Sequence, residues 1–375
     1  MNIGILRGIK FLEPRVALIP NDVRELVEAG HSVFVENGAG IMSNHDDYEY
    51  ESAGAEILPT SEKVYDVANL ILKVQNPMSV EFELFGPDQI CISLLNLADN
   101  LELLNALLKT NSTFIASEMI GNATRGFPIF DAMNEIIGKI ALIEAGKYLQ
   151  QHLGGKGILL AGTAFTPPAY ITILGSGTSA QAAARQALVN QAQVIMIDDD
   201  FEKLRTFHQA MPNANIRIHE YSPVILREVL LETDVLITAK HQAGKKSPVL
   251  VNQSDIRLLS PGSIIIDLAI DQGGCLETSR PTTAAKPVFI QEKILHFCVS
   301  PLAASVPKTS SAVYSALLLP YVKMITELGC KEALAVDSNL RNGLNIYQGK
   351  LVNAEIAANF HLQSYDILEF FEMNI

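Results

Sequence analysis

Nowhere in the 375 residues do lysine and arginine gather into a run, and the formal charge is -13. Binding to a phosphate backbone needs clustered cations, so nucleic acid is excluded as a partner and the acidity reads as a source of solubility. Cysteine is scarce as well. Cys91, Cys275, Cys298 and Cys330 lie far apart with no CxxC spacing, which excludes a zinc site and a disulfide framework and leaves reduced thiols. No uninterrupted apolar run reaches the ~18 residues of a membrane span, so no membrane partner is expected. Residues 1–6 read as a short strand followed by charge, without the long apolar core of a signal peptide. A cytoplasmic location is expected.

What the chain does have is apolar content: 48% hydrophobic against 18% charged residues, enough for buried cores and too apolar for disorder. Its length favours two domains, because single cores stop growing at roughly 250–300 residues. Strand patterns at 2–6, 32–36, 69–74, 89–95 and 113–117 alternate with helical spacing at 21–29 and 101–109, where Asn21 and Asn100 are the expected N-caps. Such alternation implies parallel pairing in an α/β layer structure. A helical stretch over 133–149 carries the chain onward to a loop marked by GGKG at 154–157 and by Pro167 and Pro168. A second α/β series follows at 171–174, 194–198, 216–219, 235–238, 263–268 and 295–299. After Ser300 the pattern turns helical through Lys331 and again over 353–358, which is expected to pack back on the first domain and make it discontinuous.

The segment ITILGSGTSA at 171–180 reads as strand, tight turn and helix. It is a GxGxxA form of the dinucleotide fingerprint: Gly175 permits the turn, Gly177 lets the backbone approach a pyrophosphate, and Ala180 keeps the helix close to the sheet. The helix N-terminus then offers N–H groups to the phosphates. The next strand ends at Asp198, about 20 residues on, as the fingerprint requires. Asp198 can accept both ribose hydroxyls and would repel a 2′-phosphate, which favours NAD over NADP. Asp199 and Asp200 follow directly, but strand geometry favours the first of the three.

The stretch DLAIDQGGCLETSRPTT at 267–283 resembles the alanine dehydrogenase and transhydrogenase α-subunit family, on the alanine dehydrogenase side. The resemblance also runs through EPRVAL at 13–18, LKV at 72–74, GGKG at 154–157, the glycine turn, VPKTS at 306–310 and GLNIYQGKL at 343–351. It implies two Rossmann-like domains with parallel sheets: a substrate domain from 1–128 plus 301–375, completed by C-terminal helices, and an NAD-binding domain at 129–300. It implies hydride transfer between NAD(H) and the Cα of a small amino acid or 2-oxo acid. It further implies a homo-oligomer, a hexamer by resemblance with a dimer as the alternative. Arg15 and Lys73 match the family's substrate-binding cations; a guanidinium grips a carboxylate through a forked pair and an ammonium adds a point charge. Asp271 matches the catalytic acid near the nicotinamide, at a strand end where such sheets present ligands. Lys203 joins the cofactor set. Cys275 is shared with alanine dehydrogenases and is given no redox role.

Three departures cluster on the substrate. Asn96 stands where the family has a histidine that touches the substrate oxygen and moves a proton; an amide hydrogen-bonds but does not titrate. Losing such a group costs about 10²–10⁴-fold in rate. Pro301, Leu302 and Ala303 replace Asn-Met-Pro, which removes a polar contact. Asn134 replaces a serine that contacts the cofactor, a mild change. His241, in the loop after the 235–238 strand, is a candidate for the nicotinamide half, whereas His296 lies in an apolar strand and reads as structural. Two readings follow: a dehydrogenase for a substrate other than standard alanine, with Arg15, Lys73, Asn96 and Asp271 in the site, or an NAD(H)-binding protein with little turnover, a sensor or a transhydrogenase-like component.

Overall fold

Every residue of the strand Leu70–Gln75 is buried, and so are those of Val235–Thr238 and Ile264–Asp267. Strands apolar on both faces need cover on both, which parallel sheets flanked by helices supply. The computed structural model describes residues 1–9, 13–212, 214–241 and 245–372. It divides into two units, Met1–Met133 with Ala304–Ile375, and Asn134–Ala303.

The first unit begins with β1 (Asn2–Ile5), β2 (Ser32–Glu36), β3 (Glu56–Leu58), β4 (Leu70–Gln75), β5 (Ile90–Leu94) and β6 (Thr113–Ala116). The second holds β7 (Tyr170–Leu174), β8 (Gln193–Asp198), β9 (Ile216–Glu220), β10 (Val235–Thr238), β11 (Ile264–Asp267), β12 (Val288–Gln291) and β13 (Ile294–Phe297). The chain then returns to the first sheet with β14 (Leu344–Tyr347) and β15 (Lys350–Leu351). The strand orders are β15-β14-β6-β5-β4-β1-β2-β3 and β12-β13-β11-β10-β7-β8-β9. Both sheets are mostly parallel; β14, β15 and β12 pair antiparallel. Each winding reverses once, between β1 and β4 in the first sheet and between β7 and β10 in the second. Ligands of such folds bind outside the carboxyl ends of the strands at that reversal.

The expected strands are present within one or two residues, and the fold is α/β as the pattern implies. The return of the chain differs from expectation in kind: strands as well as helices complete the first unit. Strand β14 was hard to foresee because Asn345 is buried between Leu344 and Ile346, which breaks the apolar alternation. Asn100 caps the helix Leu101–Leu108 by accepting the Leu103 N–H at 3.0 Å. Asn21 does not cap its helix. Pro20, whose fixed φ suits the first helical position, starts the helix Pro20–Glu28 and leaves Ile19 as the cap. Among the described residues no helix is long and apolar enough to cross a membrane.

Within the second unit, the helix that follows β7, Thr178–Val189, lies against the long helix Pro128–Tyr148 at Gly138, in the middle of that helix. A Cβ there would sit 2.3 Å from the Ser179 carbonyl oxygen and 3.1 Å from the Ala183 nitrogen. Backbone cannot yield as a flexible side chain does. Gly138→Ala is therefore expected to lower stability by ~1–3 kcal/mol through overpacking, although alanine is the better helix former. Chemical denaturation measures this, and an unchanged or higher midpoint would contradict the close approach.

Candidate active site

The carboxyl ends of β7, β8, β10 and β11 carry the second unit's polar groups. Gly175 has φ +125°, and a Cβ on it would meet the Ala239 carbonyl oxygen at 2.6 Å, so both its conformation and its space demand glycine. Gly177 is the N-cap of Thr178–Val189, without a side-chain cap, and a Cβ on it would meet nothing within 4 Å. The turn thus leaves open space over a helix N-terminus of three turns, with Ala180 fully buried beneath, and it fits a pyrophosphate. The three successive aspartates differ in burial, and the Asp198 and Asp199 side chains also interact with each other. Asp198 ends β8 at 4% exposure and accepts the Asp200 N–H at 2.8 Å and Lys240 Nζ at 2.6 Å. Asp199 is exposed and also pairs with Lys240. Asp200 caps the helix Phe201–Gln209 and pairs with Lys203 at 2.9 Å.

Asp271 is exposed, in the turn after β11, and accepts a hydrogen bond from the Ser300 hydroxyl. Pro301, which follows Ser300, has no N–H to donate. The turn itself is organised by a different carboxylate. Asp267 accepts from Thr238 Oγ1 at 2.8 Å, from the Ala269 and Cys275 N–H groups at 3.1 Å, and from Ser279 Oγ. Burial raises its pKa, and those four donors pull it back. Asn134 is buried and its Oδ1 is hydrogen-bonded to His241 Nε2, which joins two of the expected cofactor-site residues in one contact. Residues 242–244 of the His241 loop lie outside the described residues. His296 is fully buried, 3.1 Å from Thr278 Oγ1. All four cysteines are free thiols.

In the first unit the loop after β1 brings Arg15 and Glu13 together. Arg15 is buried, and its Nε and Nη2 each donate at 2.6 Å to one oxygen of Glu13, a forked pair. Lys73, near the carboxyl end of β4, is 1% exposed and pairs with Glu81, which also accepts from Tyr65 OH at 3.0 Å and the Met78 N–H at 2.8 Å. One helix, Pro307–Leu328, fastens both. The Val16 N–H donates to Ser311 Oγ at 3.0 Å and the Ile19 N–H to Ser315 Oγ at 2.9 Å. Between them the Tyr314 hydroxyl lies 3.2 Å from the Lys73 carbonyl oxygen and 2.8 Å from Ser117 Oγ.

Asn96 follows β5 with φ 47° and ψ 50°, a left-handed conformation that asparagine tolerates better than most residues. Its side chain is exposed. The turn is held by Glu118, at the end of β6: one oxygen accepts the Asn96 N–H at 2.7 Å and the other the Leu95 N–H at 3.1 Å. Burial pushes the Glu118 pKa up to about 7, against the pull of those N–H groups. Sequence reasoning passed over Glu13, Glu81, Glu118, Tyr314, Asp267 and Lys240. Glu13, two residues from Arg15, and Asp267, four before Asp271, stood inside family motifs; the others are single polar residues that carry no spacing signal.

Residues 4–137 match the family described as "Alanine dehydrogenase/PNT, N-terminal domain", and residues 141–354 match its C-terminal domain. An alanine dehydrogenase of Halomonas elongata is 35% identical over 97% of this chain and 98% of its own length. One of Methanococcus maripaludis is 37% identical over 95% and 96%. A solved structure named L-alanine dehydrogenase superimposes with a TM-score of 0.89 at 33% identity, covering 96% of this chain and 99% of the other.

The buried Glu118 makes stability depend on pH in a set direction. Its folded pKa of about 7 lies above the ordinary glutamate value near 4.3, so the folded chain binds this proton more tightly. That contribution is full below about pH 4 and is lost as pH rises through about 7. Glu118→Gln removes the titration, so unfolding measured from pH 5 to 8 should show the wild type losing ~2–3 kcal/mol relative to the variant. Parallel pH curves would contradict the assignment.

Proposed function

Since the chain belongs to the alanine dehydrogenase/PNT family, we propose that it is an NAD(H)-dependent oxidoreductase interconverting a small amino acid and its 2-oxo acid, with a substrate other than standard alanine. One observation carries the substrate class: Lys73 is a buried ammonium whose one partner among the described residues is Glu81. An ammonium has three donors, so two remain for an acceptor, and burying a cation in a strand is costly without a use for it.

In this reading Arg15 and Lys73 hold the substrate carboxylate. Asn96 hydrogen-bonds the substrate's reacting heteroatom without titrating. Asp271, with the Ser300 hydroxyl on its Oδ1, holds or moves the proton there. The Gly175–Gly177 turn and Ala180 seat the pyrophosphate, and Asp198 takes the ribose. Lys203, Asn134 and His241 complete the cofactor contacts. When bound, NAD(H) supplies or accepts the hydride at the substrate Cα. Cytoplasmic location and homo-oligomeric assembly belong to the same proposal. Asn96 favours the second reading, a dinucleotide-binding protein with little turnover, because it removes the titrating group.

NADH oxidation measured with ammonium and a panel of 2-oxo acids, with the reverse assay on L- and D-amino acids, decides between the two. Turnover is expected with at least one substrate, falling at least ~10²-fold in Asp271→Asn. Asn96→His is expected to raise activity with alanine and pyruvate. Tight NADH binding with no turnover on any substrate would establish the second reading.

A further inference from the structure

We propose that Glu118 is a positioning residue for the reaction: as a carboxylate it chelates the Leu95 and Asn96 N–H groups and thereby aims the Asn96 amide at the substrate. The inference rests on the oxidoreductase reading, in which Asn96 meets the reacting heteroatom. Asn96 is exposed between two buried leucines, Leu95 and Leu97. It makes no capping bond to the short helical turn that follows, so its direction is set by its own φ and ψ. Those angles are left-handed, and a residue with a Cβ keeps them only when its surroundings enforce them. Glu118 supplies that enforcement. It lies just beyond β6, which pairs parallel with β5, so the carboxyl and the Asn96 turn share one end of the sheet. One oxygen takes the Asn96 N–H at 2.7 Å and the other takes the Leu95 N–H at 3.1 Å.

The two protonation states of Glu118 grip this turn differently. A carboxylate has an acceptor oxygen for each N–H. Once protonated, one oxygen carries a hydrogen, and the charge that strengthens the other bond is gone. Burial favours the neutral form, and the backbone N–H groups of Asn96, Glu118 itself and Leu95 oppose it, which brings the change to about pH 7. The neighbouring groups keep their charge through that range. Asn96 does not titrate. Tyr314 faces the carboxyl from the helix Pro307–Leu328, and burial holds its hydroxyl protonated, with the Glu118 charge acting in the same direction. Arg15 and Lys73, the cations of this site, are paired with Glu13 and Glu81. The turn is therefore fixed above about pH 7 and loosened below it.

The test compares the wild type with Glu118→Gln, whose amide presents an N–H where the protonated acid presents an O–H. For both, kcat and KM are measured from pH 5.5 to 8.5 on a 2-oxo acid that the panel identifies as a substrate. The ratio of the two kcat values cancels the other titrating groups. It is expected to be near one at pH 5.5 and to climb to at least ~fivefold at pH 8.5, with KM moving less than ~twofold, because a contact at the reacting atom strengthens in the transition state. A ratio equal at every pH, as a merely structural role would give, overturns the inference and leaves the oxidoreductase reading intact. A second measurement needs only a folded wild type: the chain is labelled with 15N-asparagine, and the Asn96 amide is identified by its absence in Asn96→Gly. Its proton resonance is expected to move upfield as pH falls through about 7, when the charged acceptor is lost. A resonance that does not titrate overturns the inference even if Glu118→Gln fails to fold. If the wild type turns over no acid, the oxidoreductase reading fails, and this inference with it.

Discussion

A charge buried in a strand must carry its counter-charge with it, and Lys73 imposes that demand on the whole first unit. At 1% exposure in β4 it is stable only because Glu81 is buried beside it and is itself satisfied by Tyr65 and the Met78 N–H. Removing one partner of such a pair costs about 3–5 kcal/mol, since it leaves the other charge stranded. Arg15 repeats the arrangement with Glu13. Both cations sit at the carboxyl ends of strands beside the reversal between β1 and β4, where the topology opens the sheet to ligands. The chain's return explains itself here: Ser311, Tyr314 and Ser315 of one C-terminal helix fasten the Arg15 loop and the Lys73 strand together.

The two units solve a second problem in the same way. Each presents an exposed polar side chain from a turn at a strand end, and each fixes that turn with a buried carboxylate from a neighbouring position. Glu118 chelates the N–H groups of Leu95 and Asn96; Asp267 gathers four donors around the turn that carries Asp271. Burial raises the pKa of both carboxylates, so their hydrogen bonds are what hold them in place against desolvation. In the first unit this leaves a group that titrates near neutral pH directly beneath Asn96, where it acts on the turn.

Periodicity made the strands and their parallel pairing legible, because β1, β4, β7, β8, β10 and β11 are apolar runs bounded by turn residues. The glycine turn was legible for a local reason, strand and helix flanking a fixed spacing, and Gly175 bears it out with a positive φ and no room for a Cβ. Strand β14 was not, since a buried asparagine interrupts it. The partners of the site residues were illegible for a deeper reason. Glu81 is eight residues from Lys73, Lys240 is 42 from Asp198, and Tyr314 is 241 from Lys73. Pairing at such separations is set by sheet order, and sheet order is not written in local pattern. Asp198 shows the consequence: the strand rule found the residue, but only the fold reveals the ammonium attached to it.

The proposed chemistry is tested most directly by following the hydride itself. NADH deuterated at the nicotinamide C4 is incubated with the wild-type chain, ammonium and the panel of 2-oxo acids, and the products are read by mass spectrometry. The account predicts deuterium at C2 of one product amino acid, formed in step with NADH oxidation. Unlabelled products, or NADH that stays bound and unoxidised with every acid, would contradict it.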